Sequence, residues 1–264
     1  MAGQVVTITS GKGGVGKTTS TANLGVALAR FGKRVVCIDA DIGLRNLDLS
    51  MGYESRIVYD LVDVVQGRAR LHQALIQDSR LPGLQLLPAA NIRDKSIVTE
   101  QQMLRLCDDL RADFDFIIID CPAGIDTGFR NAVTPADQVL VVVTPEVASV
   151  RDGDCVVGLI EAVQKPLPRL IINRFRPLMV KRGDMLDIAE ILDVLAIELI
   201  GVVPEDESVI SAGNKGQPLT WEDRSPAGIA FNHIARRMLG EDVPFQDLFA
   251  SNGMFNRVSQ LFRK

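Results

Sequence analysis

Residues 11–20 read GKGGVGKTTS, and the fold turns on how this stretch is read. Gly11, Gly16, Lys17 and Thr18 satisfy the spacing GxxxxGK[ST], with Gly13, Gly14 and Val15 filling the loop and Thr19 following it. Residues 4–9 ahead of it are rich in β-branched side chains and read as a strand. Residues 17–30 behind it read as a helix. Strand, glycine loop and helix in that order make a phosphate cradle. Glycines let backbone N–H groups turn inward, the helix N-terminus adds partial positive charge, Lys17 reaches the outer phosphates, and Thr18 offers a hydroxyl to Mg²⁺.

Outward from this loop, runs apolar at nearly every position (34–38, 84–87, 116–119, 138–143, 169–172 and 197–203) alternate with amphipathic stretches at 100–111, 147–163, 185–195 and 226–239. Strands that are apolar throughout are covered on both faces, which predicts an α/β fold: a doubly wound, mostly parallel sheet with helices on both faces. The 264 residues, 47% of them hydrophobic, suffice for one large domain over 1–240. A connector over 241–252 and a separate terminal element over 253–264 are expected to follow.

Composition narrows the function. A net charge of −4 argues against a general nucleic-acid binder, so no specific nucleic acid is expected as partner. The four cysteines, Cys37, Cys107, Cys121 and Cys155, are far apart with no CxxC pair, which points to neither zinc nor disulfides and fits a reducing cytoplasm. The N-terminal residues lack the pattern of a signal peptide, and no run approaches a membrane span, so membrane contact is expected to be peripheral.

A Mg²⁺ ion at the loop wants carboxylates from neighbouring strand ends. The run FDFIIIDCPAG brings Asp120 to one tip, with Gly124 free to approach a γ-phosphate, and VVCIDADIGLRNLD brings Asp39 to another with Asp41 two residues on. Taken alone, either aspartate reads equally well as a cap or turn former. Beside the glycine loop the metal reading becomes the better one.

One lysine is surplus. Lys12 stands just after the first glycine, and its side chain need not point at its own nucleotide. With it, KGGVGKTT resembles the deviant Walker A motif of the MinD/ParA ATPases. The resemblance extends through IDADIGLRNLDL, IVYD at 57–60, LPA at 87–89, RDK at 93–95, DCPAGID, PEVASVRDGD, KRGDML and GVVPEDESV, nearly the whole chain. It implies slow hydrolysis of ATP with Mg²⁺ by a homodimer that sandwiches two nucleotides, Lys12 crossing to the partner's phosphates as an in-trans finger. By matching position it makes Asp41 the residue that orients the attacking water, and gives Mg²⁺ to Thr18, Asp39 and Asp120. Arg45 and Asn46, with Gly124, become the nucleotide-sensing switch. Asn173 and Arg174 at one strand end, with Pro204 and Glu205 at another, flank the adenine; from the residues alone an Asn there is a common turn former. Asp152 and Asp154 are placed on the helix where a MinC-like septum inhibitor and a MinE-like activator compete, although acids at a helix N-terminus also serve the dipole.

The terminus GMFNRVSQLFRK puts Met254, Phe255, Val258, Leu261 and Phe262 at helical spacing and carries only positive charge, Arg257, Arg263 and Lys264. It reads as a basic amphipathic helix for an anionic membrane surface. Five apolar side chains gain about 1.5 to 3 kcal/mol each at full burial, and each cation near anionic lipid about 1 kcal/mol. Ordering the segment costs about 1 to 2 kcal/mol per residue, so one tail binds weakly. Two tails on one dimer raise avidity by about 10² to 10⁴. The expectation is a switch of division-site selection, cytoplasmic and peripheral on the inner face of the plasma membrane, that attaches as a dimer and leaves on hydrolysis. Two alternatives stand beside it: a ParA-type ATPase that partitions DNA or other cargo, and a small-molecule ATP-dependent ligase on the same scaffold.

Overall fold

In the strand Phe116–Asp120, Phe116 and Ile118 face one hydrophobic cluster while Ile117 and Ile119 face another. That alternation, repeated along the neighbouring strands, requires a helix layer on each side. The computed structural model describes residues 2–92, 97–222 and 224–249, and it has this architecture.

In chain order the elements are β1 (Gln4–Thr9), α1 (Lys17–Arg30), β2 (Val35–Asp39), α2 (Leu47–Met51), α3 (Leu61–Val65), α4 (Leu71–Ala74), β3 (Ile76–Gln77), β4 (Leu84–Leu87), α5 (Glu100–Leu110) and β5 (Phe116–Asp120). There follow α6 (Thr127–Val133), β6 (Gln138–Val143), α7 (Val147–Ala162), β7 (Arg169–Phe175), α8 (Pro177–Arg182), α9 (Ile188–Leu195), β8 (Glu198–Pro204), α10 (Ser208–Asn214) and α11 (Pro226–Met238). The sheet order is β3-β4-β2-β5-β1-β6-β7-β8. All pairings are parallel except that of β3 with β4.

One face carries α1 and α11, whose Leu24, Leu28, Phe231 and Ile234 are buried against Val6, Ile8, Leu140 and Ile200. The other carries α5, α6, α7 and α9, with Met103, Phe129, Val156 and Ile191 over Val5, Ile117 and Val141. Local signals start several helices. Thr99 and Gln102 form a capping box for α5, Asp187 and Glu190 one for α9, and Ser225 with Pro226 opens α11.

Two expected boundaries move by three residues. The helix expected from residue 185 begins at Ile188, because the Asp187 side chain caps it. The strand expected over 169–172 continues to Phe175, since its pairing with β8 resumes past an irregularity between Ile172 and Phe175. Asn173 therefore lies inside a strand. The described part of the segment expected as a connector packs on the domain. Val243 is buried, and Phe245, Leu248 and Phe249 rest on the core. Arg237 donates to the carbonyls of Val243 and Pro244 and stacks over Phe245.

Candidate nucleotide site

The chain runs from β1 to β2 on one side and, after β5, crosses β1 to β6 on the other, so β1 lies at the switch in strand order, with β5 and β6 as its neighbours. This is where ligands bind in open α/β sheets. The loop joining β1 to α1 stands at this point. Gly14 (φ 78°) and Gly16 (φ 106°) adopt left-handed conformations that other residues resist. Val15 is buried between them, and α1 starts at Lys17 without a side-chain cap, leaving its first N–H groups available to a ligand.

Lys17 is only 8% exposed, and its Nζ donates to Ser10 Oγ at 3.1 Å. Ser10 in turn donates to the Lys12 carbonyl at 2.8 Å, which ties the loop across its mouth. From the far side the Asn173 carboxamide donates to the Val15 carbonyl at 2.7 Å. A Cβ on Gly16 would collide with that carboxamide, and one on Gly11 would collide with the backbone carbonyl of Asp152 in α7. The loop is thus wedged between β7 and α7.

Asp39 and Asp120 end adjacent strands in direct register. Thr18 donates to Asp120 Oδ2 at 2.6 Å and Thr21, one turn later, to Oδ1 at 3.3 Å. Asp39 accepts the N–H groups of Asp41 at 2.9 Å and Leu47 at 3.2 Å, which folds the 40–47 segment back over the site. Burial, followed by the neighbouring Asp120, pushes the Asp39 carboxyl up. Burial pushes Asp120 up as well, against the Thr18 hydrogen bond and the Lys17 charge. Two buried carboxylates and a threonine hydroxyl suit a hard divalent cation such as Mg²⁺, which takes oxygen ligands and retains water. Among the described residues no group of three or more His, Cys, Asp or Glu is placed to hold a metal. A cation here would share its shell with phosphate and water.

Asp41, two residues past the end of β2, is half-buried. Arg45 has a left-handed backbone (φ 49°) and grips the buried Asp48 at 2.9 Å, while Asn46 precedes α2 and is exposed. Gly124 (φ 95°) lies in the loop after β5. Thr19 and exposed Gly13 complete the cradle. Arg174 (φ 57°) is exposed at the end of β7, and Glu205, after Pro204, donates its N–H to the Phe175 carbonyl at 3.0 Å. Asp152 is half-buried and Asp154 exposed on α7. Lys12 is exposed, its Nζ 3.7 Å from Glu146 Oε2. Met254, Phe255, Arg257, Val258, Leu261, Phe262, Arg263 and Lys264, like the RDK match at 93–95, lie outside the described residues.

Sequence reasoning missed Ser10, Thr21, Asp48 and Glu146. Thr21 was legible as the residue one helical turn after Thr18, and Asp48 as the acid three residues after Arg45. Glu146 meets Lys12 only through the tertiary fold.

Residues 6–219 match the CobQ/CobB/MinD/ParA nucleotide binding domain. The chain is 53% identical over 257 residues to the septum site-determining protein MinD of Synechocystis sp., covering 97% of each. It is 46% identical to a chain of the MinC:MinD cell division protein complex of Aquifex aeolicus, with a TM-score of 0.86 over 92% of this chain and 98% of that one. It is 27% identical to the septum site-determining protein MinD of Pyrococcus horikoshii complexed with Mg-ADP, with a TM-score of 0.81 over 91% of this chain and 99% of that one.

Proposed function

The chain belongs to the septum site-determining branch of the MinD/ParA family of nucleotide-binding ATPases, and from that premise we propose that it is a dimerising, membrane-attaching switch. ATP with Mg²⁺ would supply the phosphoanhydride that is cleaved and the cation that offsets its charge. Lys17 would hold the β and γ oxygens, Thr18, Asp39 and Asp120 the cation, and Asp41 the attacking water. The adenine would lie near Asn173, Arg174, Pro204 and Glu205. Asn173 also has a second duty, fixing the Val15 carbonyl so that the loop amides keep their inward aim.

The observation that carries the dimer is Lys12. It is a cation on the phosphate loop, exposed and engaged at 3.7 Å with Glu146, while Lys17 alone occupies the interior of the cradle. A charge placed outside its own site serves a second site brought against it. ATP would then be read as a dimer, and the dimer would present two tails to an anionic membrane surface. Among the described residues no helix is long and apolar enough to cross a membrane. Attachment through the tails would be peripheral, on the cytoplasmic side. The MinC:MinD complex of Aquifex aeolicus supports a MinC-like inhibitor as partner. The α7 surface around Asp152 and Asp154 is its docking place, for which a MinE-like activator would compete, with release on hydrolysis.

Sedimentation velocity and liposome co-sedimentation test this, with ADP and with ATP and Mg²⁺, on the intact chain and on one ending at Asn252. Both chains are expected to dimerise only with ATP, and only the intact one to pellet. A monomer under both nucleotides, or pelleting without the tail, would overturn the reading.

A further inference from the structure

The motif KRGDML, residues 181–186, is one of the matching segments to which the nucleotide site assigns no role. It begins in the last turn of α8, a helix without a single fully buried residue. Leu178 is 63% exposed there, and Lys181 and Arg182 project at the C-terminal turn, where the helix dipole favours cations. Arg174 and Arg176 precede the helix and are exposed as well. Of the acids nearby, Glu205 is spent on Arg176 at 3.5 Å, and Asp187 accepts the Glu190 N–H at 2.8 Å as the cap of α9. Asp184 is exposed beyond the helix end. Among the described residues no acidic side chain comes within ion-pair range of Lys181 or Arg182.

The second observation is the contact that Phe249 makes beside α8. The Phe249 ring meets Phe175 edge-on at 6.0 Å, and Lys181 Nζ lies 5.6 Å from its centroid. The basic, apolar segment from Met254 onward therefore starts five residues from a contact with α8. Five residues span at most about 18 Å. A bilayer that holds that segment thus brings α8 to within about two Debye lengths of its surface, or closer.

We propose that α8, with Leu178, Lys181 and Arg182, is a second contact with anionic lipid, placed on the folded domain beside the root of the tail. This rests on the membrane reading given above and adds an orientation to it: the domain meets the bilayer with the α8 end down. One apolar side chain and two cations are too little for attachment alone, so α8 acts only on a domain that the tails have already brought to the surface. Seated within about one Debye length of the headgroups, each cation contributes about two- to fivefold in affinity. Both protomers of a dimer contribute.

The test uses the full chain with Leu178→Ser and Arg182→Glu, singly and together. Lys181 is left in place because it rests on Phe249. Vesicles are phosphatidylcholine alone and phosphatidylcholine mixed equally with phosphatidylglycerol. With ATP and Mg²⁺, the double variant is expected to bind the mixed vesicles at least about fivefold more weakly, with a shallower dependence on salt. Its hydrolysis and its ATP-dependent sedimentation as a dimer should be unchanged. Equal binding by the double variant and the unaltered chain overturns the inference. So does loss of the dimer, which would make α8 a contact between copies. If the unaltered chain fails to bind the mixed vesicles, the membrane reading itself falls, a result the variants do not enter.

Discussion

Lys12 Nζ and Glu146 Oε2 stand 3.7 Å apart, joining the phosphate loop to the residue that precedes α7. Both side chains are about half exposed, 47% and 56%, so the pair contributes only about 0 to 1 kcal/mol to stability. Lys12→Ala should accordingly leave the urea midpoint nearly unchanged while abolishing ATP-dependent dimerisation and hydrolysis. Sedimentation velocity and phosphate release check this. Residual hydrolysis near the unaltered level would return Lys12 to the role of a solvated loop lysine.

Asn173 offers a prediction about the loop rather than the nucleotide. Its carboxamide is buried and donates to Val15, so Asn173→Ala leaves a buried carbonyl without that donor at a cost of about 1 to 3 kcal/mol. Nucleotide affinity should fall by roughly tenfold or more, in step with that loss. If thermal unfolding shows the cost in the apo protein while affinity is unaltered, the loop does not depend on this anchor.

The Asp39 and Asp120 pair gives a pH dependence whose sign is the reverse of a salt bridge. Both carboxyls are pushed up in the folded protein, so the folded state holds protons that the unfolded chain has released above about pH 4. Stability of the apo protein should therefore decline as pH rises from about 5 to 7, and Mg²⁺ with nucleotide should flatten the decline. Urea midpoints at the two pH values, with and without Mg-ADP, test it. A midpoint that climbs over this range without ligand contradicts the assignment.

Tyr53 anchors the segment after α2 to Asp78, which also accepts from Arg80, whose guanidinium stacks on Trp221. Burial would raise the Asp78 carboxyl, but the Arg80 and Tyr53 hydrogen bonds outweigh it and hold it below the usual range. Asp78→Asn removes a charge-assisted network at a cost of about 1 to 3 kcal/mol, while Tyr53→Phe should cost about 0.5 to 1.5 kcal/mol. The Asp78 contribution is present above the unfolded pKa near 4 and is lost as pH falls through the lower folded value. Equal stability of Asp78→Asn and the unaltered chain would show that the network is slack.

Much of this was legible from local pattern. The loop at 11–18 declared its own strand and helix, because its chemistry admits only that context. β5 and β6 were readable because strands buried on both faces leave no polar position to confuse the period. β3 was not, since two antiparallel residues at a sheet edge carry no period at all. The packing of Phe245 and Phe249 escaped for a related reason: an irregular segment shows its buried side only when the surface it lies on is known. Thr18 and Asp120 meet across 102 residues, and only the parallel order of β1 and β5 joins them. Glu146 had no signal of its own, being an ordinary acid before a helix until the fold sets Lys12 beside it.

Gly11 and the Asp152 carbonyl touch with no room for a methyl group between them. Parts that fit without clearance are expected to share their displacements, so that a shift of the loop by about a few tenths of an ångström would press on α7. The helix is then a lever resting with its short arm on the nucleotide's cradle. Under the proposed function, a partner gripping its outer surface would feel a displaced phosphate loop through this backbone contact.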